Sequence, residues 1–124
     1  MSTFSDLLHA KGYLILDGAM GTQLFDAGLT AGDAPELWNL EHPDRVSDIH
    51  RSYVAAGSDI VLTNSFGGNK FMLERYGAGD RLFELNKLAA EHARAVAPEG
   101  KYVAGSIGPT GEFIEPLGTA TEDD

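Results

Sequence analysis

Three apolar runs, each ending in a cluster of small and polar residues, set the pattern of this chain. They occupy residues 13–17, 59–63 and 102–106 and spill into Asp17-Gly18-Ala19-Met20-Gly21-Thr22, Thr63-Asn64-Ser65-Phe66-Gly67-Gly68 and Gly105-Ser106-Ile107-Gly108-Pro109. Short apolar runs bounded by turn residues read as strands. The first, Tyr13-Leu14-Ile15-Leu16, has no polar position, which predicts a strand covered on both faces.

Helical patterns fill the gaps. Residues 5–12 predict a short amphipathic helix, capped by Ser5 and stopped by Gly12. Residues 21–27 predict another, ended by Gly28. Residues 29–42 show little periodicity and predict a long loop carrying Trp38. Pro43 suits a first helical turn, and Val46, Ile49, Tyr53 and Val54 mark one face of a helix over 43–56 that Gly57 ends. A short helix is predicted over 69–76. Asp80 is the expected cap of a longer one running to about residue 97, with Leu82, Leu85, Ala89 and Val96 as its apolar stripe and Pro98 as its stop. From Gly118 the chain predicts the start of a capped helix. Strands recurring about 45 residues apart, with helices in every gap, predict a parallel α/β sheet whose active face lies at the strand C-termini.

Length and charge narrow this picture. A chain of 124 residues has room for one domain. A formal net charge of -10 argues against nucleic acid and against an anionic membrane surface. No apolar run approaches the roughly 20 residues of a membrane helix. The opening residues lack a basic stretch followed by an apolar core, so no secretory signal and a cytoplasmic location are expected. Without cysteine there is neither a disulfide nor a thiolate metal site within these residues.

Candidate chemistry sits at the three strand ends. At the first, Asp17 suits an ammonium group, and the backbone N–H groups of Gly18, Ala19 and Met20 suit a carboxylate or phosphate. Together they match the two charged ends of an amino acid. The same residues also read as a plain helix cap and a glycine-permitted turn. At the second end, Thr63, Asn64 and Ser65 precede Phe66 and two glycines, a pattern that fits either a ligand loop or hydrogen-bonded turn chemistry. At the third, the glycines of residues 105–111 allow a backbone to approach a ligand closely, or simply a flexible loop. That loop matches neither the dinucleotide fingerprint nor the phosphate loop. His9, His42, His50 and His92 have no spacing suited to joint metal binding and read as structural or solvated. Asp48-Ile49-His50 starts like a corrinoid-binding Asp-x-His-x-x-Gly motif, but Tyr53 stands at the glycine position. No Gly-x-Ser-x-Gly elbow is present.

Taken in order, Asp17-Gly18-Ala19-Met20-Gly21-Thr22, Glu36-Leu37-Trp38-Asn39-Leu40, the run from Ala56 to Gly67 and Ala104-Gly105-Ser106-Ile107-Gly108-Pro109 resemble the start of a homocysteine S-methyltransferase. That family includes betaine–homocysteine methyltransferase and the homocysteine domain of cobalamin-dependent methionine synthase. The resemblance spans nearly the whole chain. It implies a (β/α)8 TIM barrel, of which residues 1–124 supply about the first three βα units as the N-terminal part of one homocysteine-binding domain. It also implies transfer of a methyl group, from betaine or a similar donor, to the zinc-bound thiolate of homocysteine, giving methionine. Zinc lowers the thiol pKa and so makes a sulfur nucleophile at neutral pH.

By this resemblance Asp17 binds the amino group of homocysteine, and the N–H groups of Gly18 and Met20 bind its carboxylate. Phe66 and its loop, with Asn64 and Ser65, line the methyl-donor side, and Ser106 sits at the rim. The zinc cysteines of the family, including a Gly-Gly-Cys-Cys run, are expected beyond residue 124. The resemblance therefore places no catalytic residue and no metal ligand within this chain, and the isolated chain is expected to bind no zinc, to be inactive and to fold poorly around two open sheet edges. Betaine, a methylated sulfonium compound and methyl-corrinoid stay open as donors, as does assembly into a homo-oligomer. Two rivals stand beside this reading. One is a small non-catalytic α/β module that binds an anion or a protein through its edges. The other is a different barrel enzyme with phosphate at the glycine turns, which lack a basic neighbour.

Overall fold

The computed structural model of the chain describes residues 3–124. Helix α1 (Phe4–Lys11) starts from Thr3 rather than from Ser5. The Thr3 hydroxyl accepts the Asp6 N–H at 3.1 Å, and the Asp6 carboxylate accepts the Thr3 N–H at 2.9 Å. This reciprocal cap satisfies two donors that a helix start leaves without partners. Gly12 closes the helix at φ 77°, as its position predicts.

Strands β1 (Ile60–Leu62) and β2 (Tyr102–Ala104) pair in parallel, with Ile60 opposite Tyr102, Val61 opposite Val103 and Leu62 opposite Ala104. The pairing continues past Leu62, where the Thr63 N–H reaches Ala104 O at 3.0 Å. The segment predicted as the first strand lies on the other side of β1 but makes only one parallel bridge, Leu16 to Ile60. Two hydrogen bonds explain its irregularity. The N–H groups of Asp59 and Ile60 converge on Ile15 O, at 2.7 and 3.2 Å, while the Ile15 N–H goes to the Asp59 carboxylate at 3.0 Å. A side chain thus takes the donor that a regular ladder would use. The expectation of cover on both faces also fails, because Tyr13, Ile15 and Leu16 are about half exposed or more (62%, 48% and 54%). β1 is therefore the central strand, and among the described residues neither flanking segment has a second strand neighbour.

The first gap holds α2 (Gly21–Asp26), α3 (Trp38–Glu41) and α4 (Pro43–Ala56). The predicted loop over 29–42 is in fact a 3-10 turn, Pro35–Leu37, that runs straight into α3 and buries Trp38 and Asn39. Four residues are too few to show a helical period, although Pro35 at a first helical position was a usable sign. α4 has the predicted bounds and ends at Gly57, φ 108°. Its buried face is Val46, Ile49 and His50, while Tyr53 and Val54 are half-buried.

In the second gap, α5 (Lys70–Glu74) is capped by Asn69, whose side chain accepts the Met72 N–H. α6 (Leu82–Val96) follows a 3-10 turn, Gly79–Arg81. Asp80 lies inside that turn and does not cap α6, which has no side-chain cap. The buried stripe of α6 is Leu85, Ala89 and Ala93, an i, i+4, i+8 row whose two alanines let α4 pack close. No helix forms after Gly118. A bridge joins Ile114 to Ala120, and Asp124 accepts the Thr121 N–H at 2.9 Å.

Among the described residues two apolar clusters form the core. One gathers Leu24, Leu29, Trp38, Val46 and Ile49, with Met20, Ala27 and Tyr53 against it. The other gathers Leu73, Ala78 and Leu85. Leu24, Leu73 and Leu85 are fully buried, and each such side chain contributes roughly 1.5–3 kcal/mol of burial free energy. At the N-terminal ends of the strands the buried Asp59 carboxylate takes Lys11 Nζ at 2.6 and 2.7 Å and Lys101 Nζ at 3.3 Å. That cluster ties α1 to both strands and leaves their other ends for chemistry. Among the described residues no helix is long and apolar enough to cross a membrane.

Candidate functional site

The first strand end is built around Asp17. Its N–H binds Ile60 O at 2.9 Å, and its Oδ2 accepts the Leu62 N–H at 2.9 Å. The carboxylate is thus fastened to β1 and does not cap α2, whose N-cap residue Met20 makes no side-chain cap bond. This removes the helix-cap reading of Asp17. Partial burial pushes its carboxyl pKa up, and the hydrogen bond from Leu62 opposes that rise. Behind the turn, the Tyr53 hydroxyl donates to Ala19 O at 2.7 Å.

The second and third strand ends are buckled together by hydroxyls. The Ser106 N–H donates to Thr63 Oγ1 at 3.0 Å, Thr63 Oγ1 lies 2.6 Å from Ser65 Oγ, and Ser65 Oγ donates to Ser106 O at 2.8 Å. Ser65 has one proton and gives it to Ser106 O, so Thr63 must be the donor between the two hydroxyls. The ring closes with every group satisfied. It holds the ends of β1 and β2 at a set separation.

Asn64 is buried beside this ring. Its Nδ2 protons go to Pro35 O at 2.9 Å and Asn39 Oδ1 at 3.0 Å, while Asn39 Nδ2 reaches back to Asn64 O at 2.9 Å. Its amide nitrogen is therefore committed inside the protein. Phe66, by contrast, is 62% exposed. The loop that carries it is pinned by Glu36, whose Oε1 accepts the Gly67 N–H at 2.6 Å.

These elements enclose a cavity of about 420 Å³ at the C-terminal ends of the strands. Asp17, Gly18, Met20, Asn64, Ser65, Phe66 and Ser106, all singled out from sequence, line this one cavity. Thr63, named with Asn64 and Ser65 at the second strand end, lines it too, and so does Glu36, which the sequence marks only as part of the Glu36-Leu37-Trp38-Asn39-Leu40 run. Glu36 had a signal: an acid wedged between Pro35 and the apolar Leu37-Trp38 pair is poorly suited to a solvated loop. Two of the lining residues are acids, and none is Lys, Arg or His. The cavity favours a ligand that brings a positive group.

The third loop differs from expectation in detail. Gly105 has open space where a side chain would stand, and Gly111, at φ 78°, lies against the Arg75 guanidinium. Gly108 does make a close backbone approach, but to Phe66 rather than to a ligand space. The histidines stay outside the cavity. His92 Nε2 lies 2.7 Å from Asn39 O, His42 packs edge-on to Trp38, and His50 is fully buried. Among the described residues no group of three or more His, Cys, Asp or Glu is placed to hold a metal ion, and the sequence has no Cys. These residues do not fit the zinc that the resemblance implies.

The family model for homocysteine S-methyltransferase matches residues 14–124. The methionine synthase of Mycobacterium leprae (strain TN) is 41% identical over 85% of this chain, which spans 10% of that protein. The methionine synthase of Mycobacterium tuberculosis (strain ATCC 25618 / H37Rv) is 40% identical, again with 85% of this chain and 10% of that protein covered. Among solved structures, the metallated form of the homocysteine methyltransferase MmuM from Escherichia coli superposes with a TM-score of 0.67 at 28% identity, covering 83% of this chain and 41% of that one. Its oxidized form gives 0.71 at 29% identity, covering 85% and 40%. The chain thus spans about a tenth of these methionine synthases and about two fifths of MmuM.

Proposed function

Starting from a chain that belongs to the homocysteine S-methyltransferase family, we propose that its cavity is the amino-acid half of a site where homocysteine receives a methyl group. The observation that carries this reading is the meeting of Asp17, Gly18, Met20 and Phe66 around one cavity of about 420 Å³ with no cationic side chain in its wall. In this reading the Asp17 carboxylate holds the substrate ammonium. The N–H groups of Gly18 and Met20 hold its carboxylate. The thiol then extends along the wall made by Thr63, Ser65 and Ser106, and Phe66 faces the methyl donor. A cavity of this size suits the substrate and the transferred group together.

The contribution of these residues is binding and orientation. Fixing both charged ends of the amino acid leaves the sulfur a single direction in which to point, which is the entropic part of a displacement reaction. The barrel that the family resemblance implies and the methyl donor both belong to this proposal. The zinc of the family is not assigned to any residue of this chain.

The test is a calorimetric titration of L-homocysteine and of L-methionine into the full-length protein that carries this segment and into its Asp17→Asn variant. Binding to the parent that weakens at least roughly tenfold in Asp17→Asn, the scale of a lost charge-assisted contact, supports the reading. Equal binding by the two proteins sinks it.

A further inference from the structure

We propose that Tyr53 is the positioning residue of the Asp17 turn: its hydroxyl and ring hold Gly18, Ala19 and Met20 in the shape that faces the cavity. The inference deepens the amino-acid-site reading and rests on it for its functional meaning. Tyr53 is anchored from below, because its ring packs against the buried cluster of Leu24, Leu29, Trp38, Val46 and Ile49. From that base it touches the turn twice. Its hydroxyl donates to Ala19 O at 2.7 Å. Its ring lies so close under residue 18 that a Cβ there would stand 2.9 Å from both Cε1 and the hydroxyl oxygen. The hydrogen bond draws the turn down, and the ring sets how far it can come.

The orienting effect follows from the planar trans peptide. The C=O of Ala19 and the N–H of Met20 belong to one peptide unit and point in opposite directions. Tying the carbonyl to Tyr53 therefore aims the Met20 N–H away from Tyr53. Gly18 and Met20 line the cavity and Tyr53 does not, so the turn lies between the phenol and the ligand space. The hydroxyl is kept as a donor, since partial burial, together with the negative charge of Asp17, pushes the phenol pKa up. Gly18 is needed here for contact rather than for a left-handed φ, since no positive φ occurs at that residue.

Tyr53→Phe removes the hydroxyl and keeps the ring. The expected result is a local one: the Ala19 carbonyl-carbon and Met20 amide resonances move, while those of β2 and α6 stay in place. Affinity for L-homocysteine, by calorimetry, falls roughly three- to tenfold, the range set by one ordinary hydrogen bond, with little change in the urea midpoint. A residue that served stability alone would move the midpoint and leave the affinity of the folded fraction intact. The second test concerns the ring. Gly18→Ala is expected to weaken binding strongly beside Tyr53 and mildly in a Tyr53→Leu background, which opens the space. Unmoved Ala19 and Met20 resonances in Tyr53→Phe, or an equal effect of Gly18→Ala in both backgrounds, overturns the proposal. If the turn resonances move but no variant and no parent takes up homocysteine, the ligand assignment falls and the positioning role stands.

Discussion

The carboxylate of Asp17 and the amide of Leu62 are joined across the sheet at 2.9 Å. This bond lets fold and function be separated at one residue. Asn in place of Asp keeps a carbonyl oxygen for the Leu62 N–H and removes only the charge. Ala removes both. Asp17→Ala is therefore expected to cost about 1–2 kcal/mol of stability, the cost of leaving a partly buried N–H unpaired, whereas Asp17→Asn stays close to the parent. Urea unfolding of the two variants checks this. Equal losses of stability would show that the carboxylate acts on the fold through its charge instead.

Asn39 is the second point where one side chain holds the cavity wall. It is fully buried, donates to Asn64 O and Leu85 O, and accepts from Asn64 Nδ2. Asn39→Leu matches it roughly in size and leaves Asn64 O and one Asn64 Nδ2 proton without their partners, while Leu85 O keeps its place in the α6 ladder. The expected loss is about 2–4 kcal/mol, because each buried group left without a partner costs 1–3. Asn39→Asp is expected to fall in the same direction, since it turns a donor toward two carbonyls into an acceptor. Chemical denaturation gives the readout, and a change below about 0.5 kcal/mol, the scale of an ordinary surface substitution, would contradict the network.

The two asparagines also show where sequence reading stopped. The strand ends were legible because Asp17, Phe66 and Ser106 stand at apolar-to-polar junctions, a signal that lies within a few residues. The long helices were legible through their period and through Gly57 and Pro43. Partners far apart in the chain were not. Glu36 binds Gly67 across 31 residues, and Asn39 binds Asn64 across 25. No local pattern announces such a pair. The same limit explains Tyr53, legible as part of an apolar stripe, whose hydroxyl bond to Ala19 spans 34 residues. The irregular first strand has a comparable cause, because the Asp59 side chain takes the Ile15 N–H.

His50 gives a prediction in pH. It is fully buried, and among the described residues neither ring nitrogen has a hydrogen-bond partner. Burial, with a smaller effect of His92, lowers its pKa from 6.5 to about 4. The unfolded chain therefore takes up this proton first as pH falls. The stability tied to neutral His50 is complete above about 6.5 and is lost as pH drops from there toward about 4. The imidazole resonances of His50 should titrate near the lower value. His50→Leu should flatten the fall in unfolding midpoint between pH 6.5 and 4. A titration midpoint near 6.5 would exclude the buried neutral ring.

Asp59 has the matching effect at lower pH. The Lys11 ammonium, with the Ile15 N–H and Lys101, holds its pKa at about 2, below the ordinary 3.8. Its contribution is present above 3.8 and disappears as pH falls toward 2. Asp59→Asn should lower stability at neutral pH and flatten this acid limb. The geometry also ranks the lysines: Lys11 makes contacts of 2.6 and 2.7 Å, Lys101 one of 3.3 Å. Lys11→Met should therefore be the more damaging of the two. The reverse order in urea denaturation would mean that Lys101 is the principal partner.

Gly108 offers a test that reaches the cavity from outside its wall. A Cβ at this position would fall inside the van der Waals surface of the Phe66 carbonyl oxygen and 3.0 Å from two atoms of the Phe66 ring. The exposed ring can turn aside, but the carbonyl cannot yield cheaply. The carbonyl belongs to backbone pinned by the Glu36 bond to Gly67, and the residue before it, Ser65, is fastened to Ser106. Gly108→Ala must then either open the hydroxyl ring of Thr63, Ser65 and Ser106 or swing Phe66 away from the rim. In both cases the Phe66 side of the cavity changes while Asp17, on the far side of β1, keeps its bond to Leu62. On the function proposed above, the expected outcome is a full-length protein that retains most of its affinity for L-homocysteine and loses methyl transfer. An equal loss of both would mean that Phe66 and Asp17 serve one subsite, and the division of the cavity into two halves would have to be abandoned.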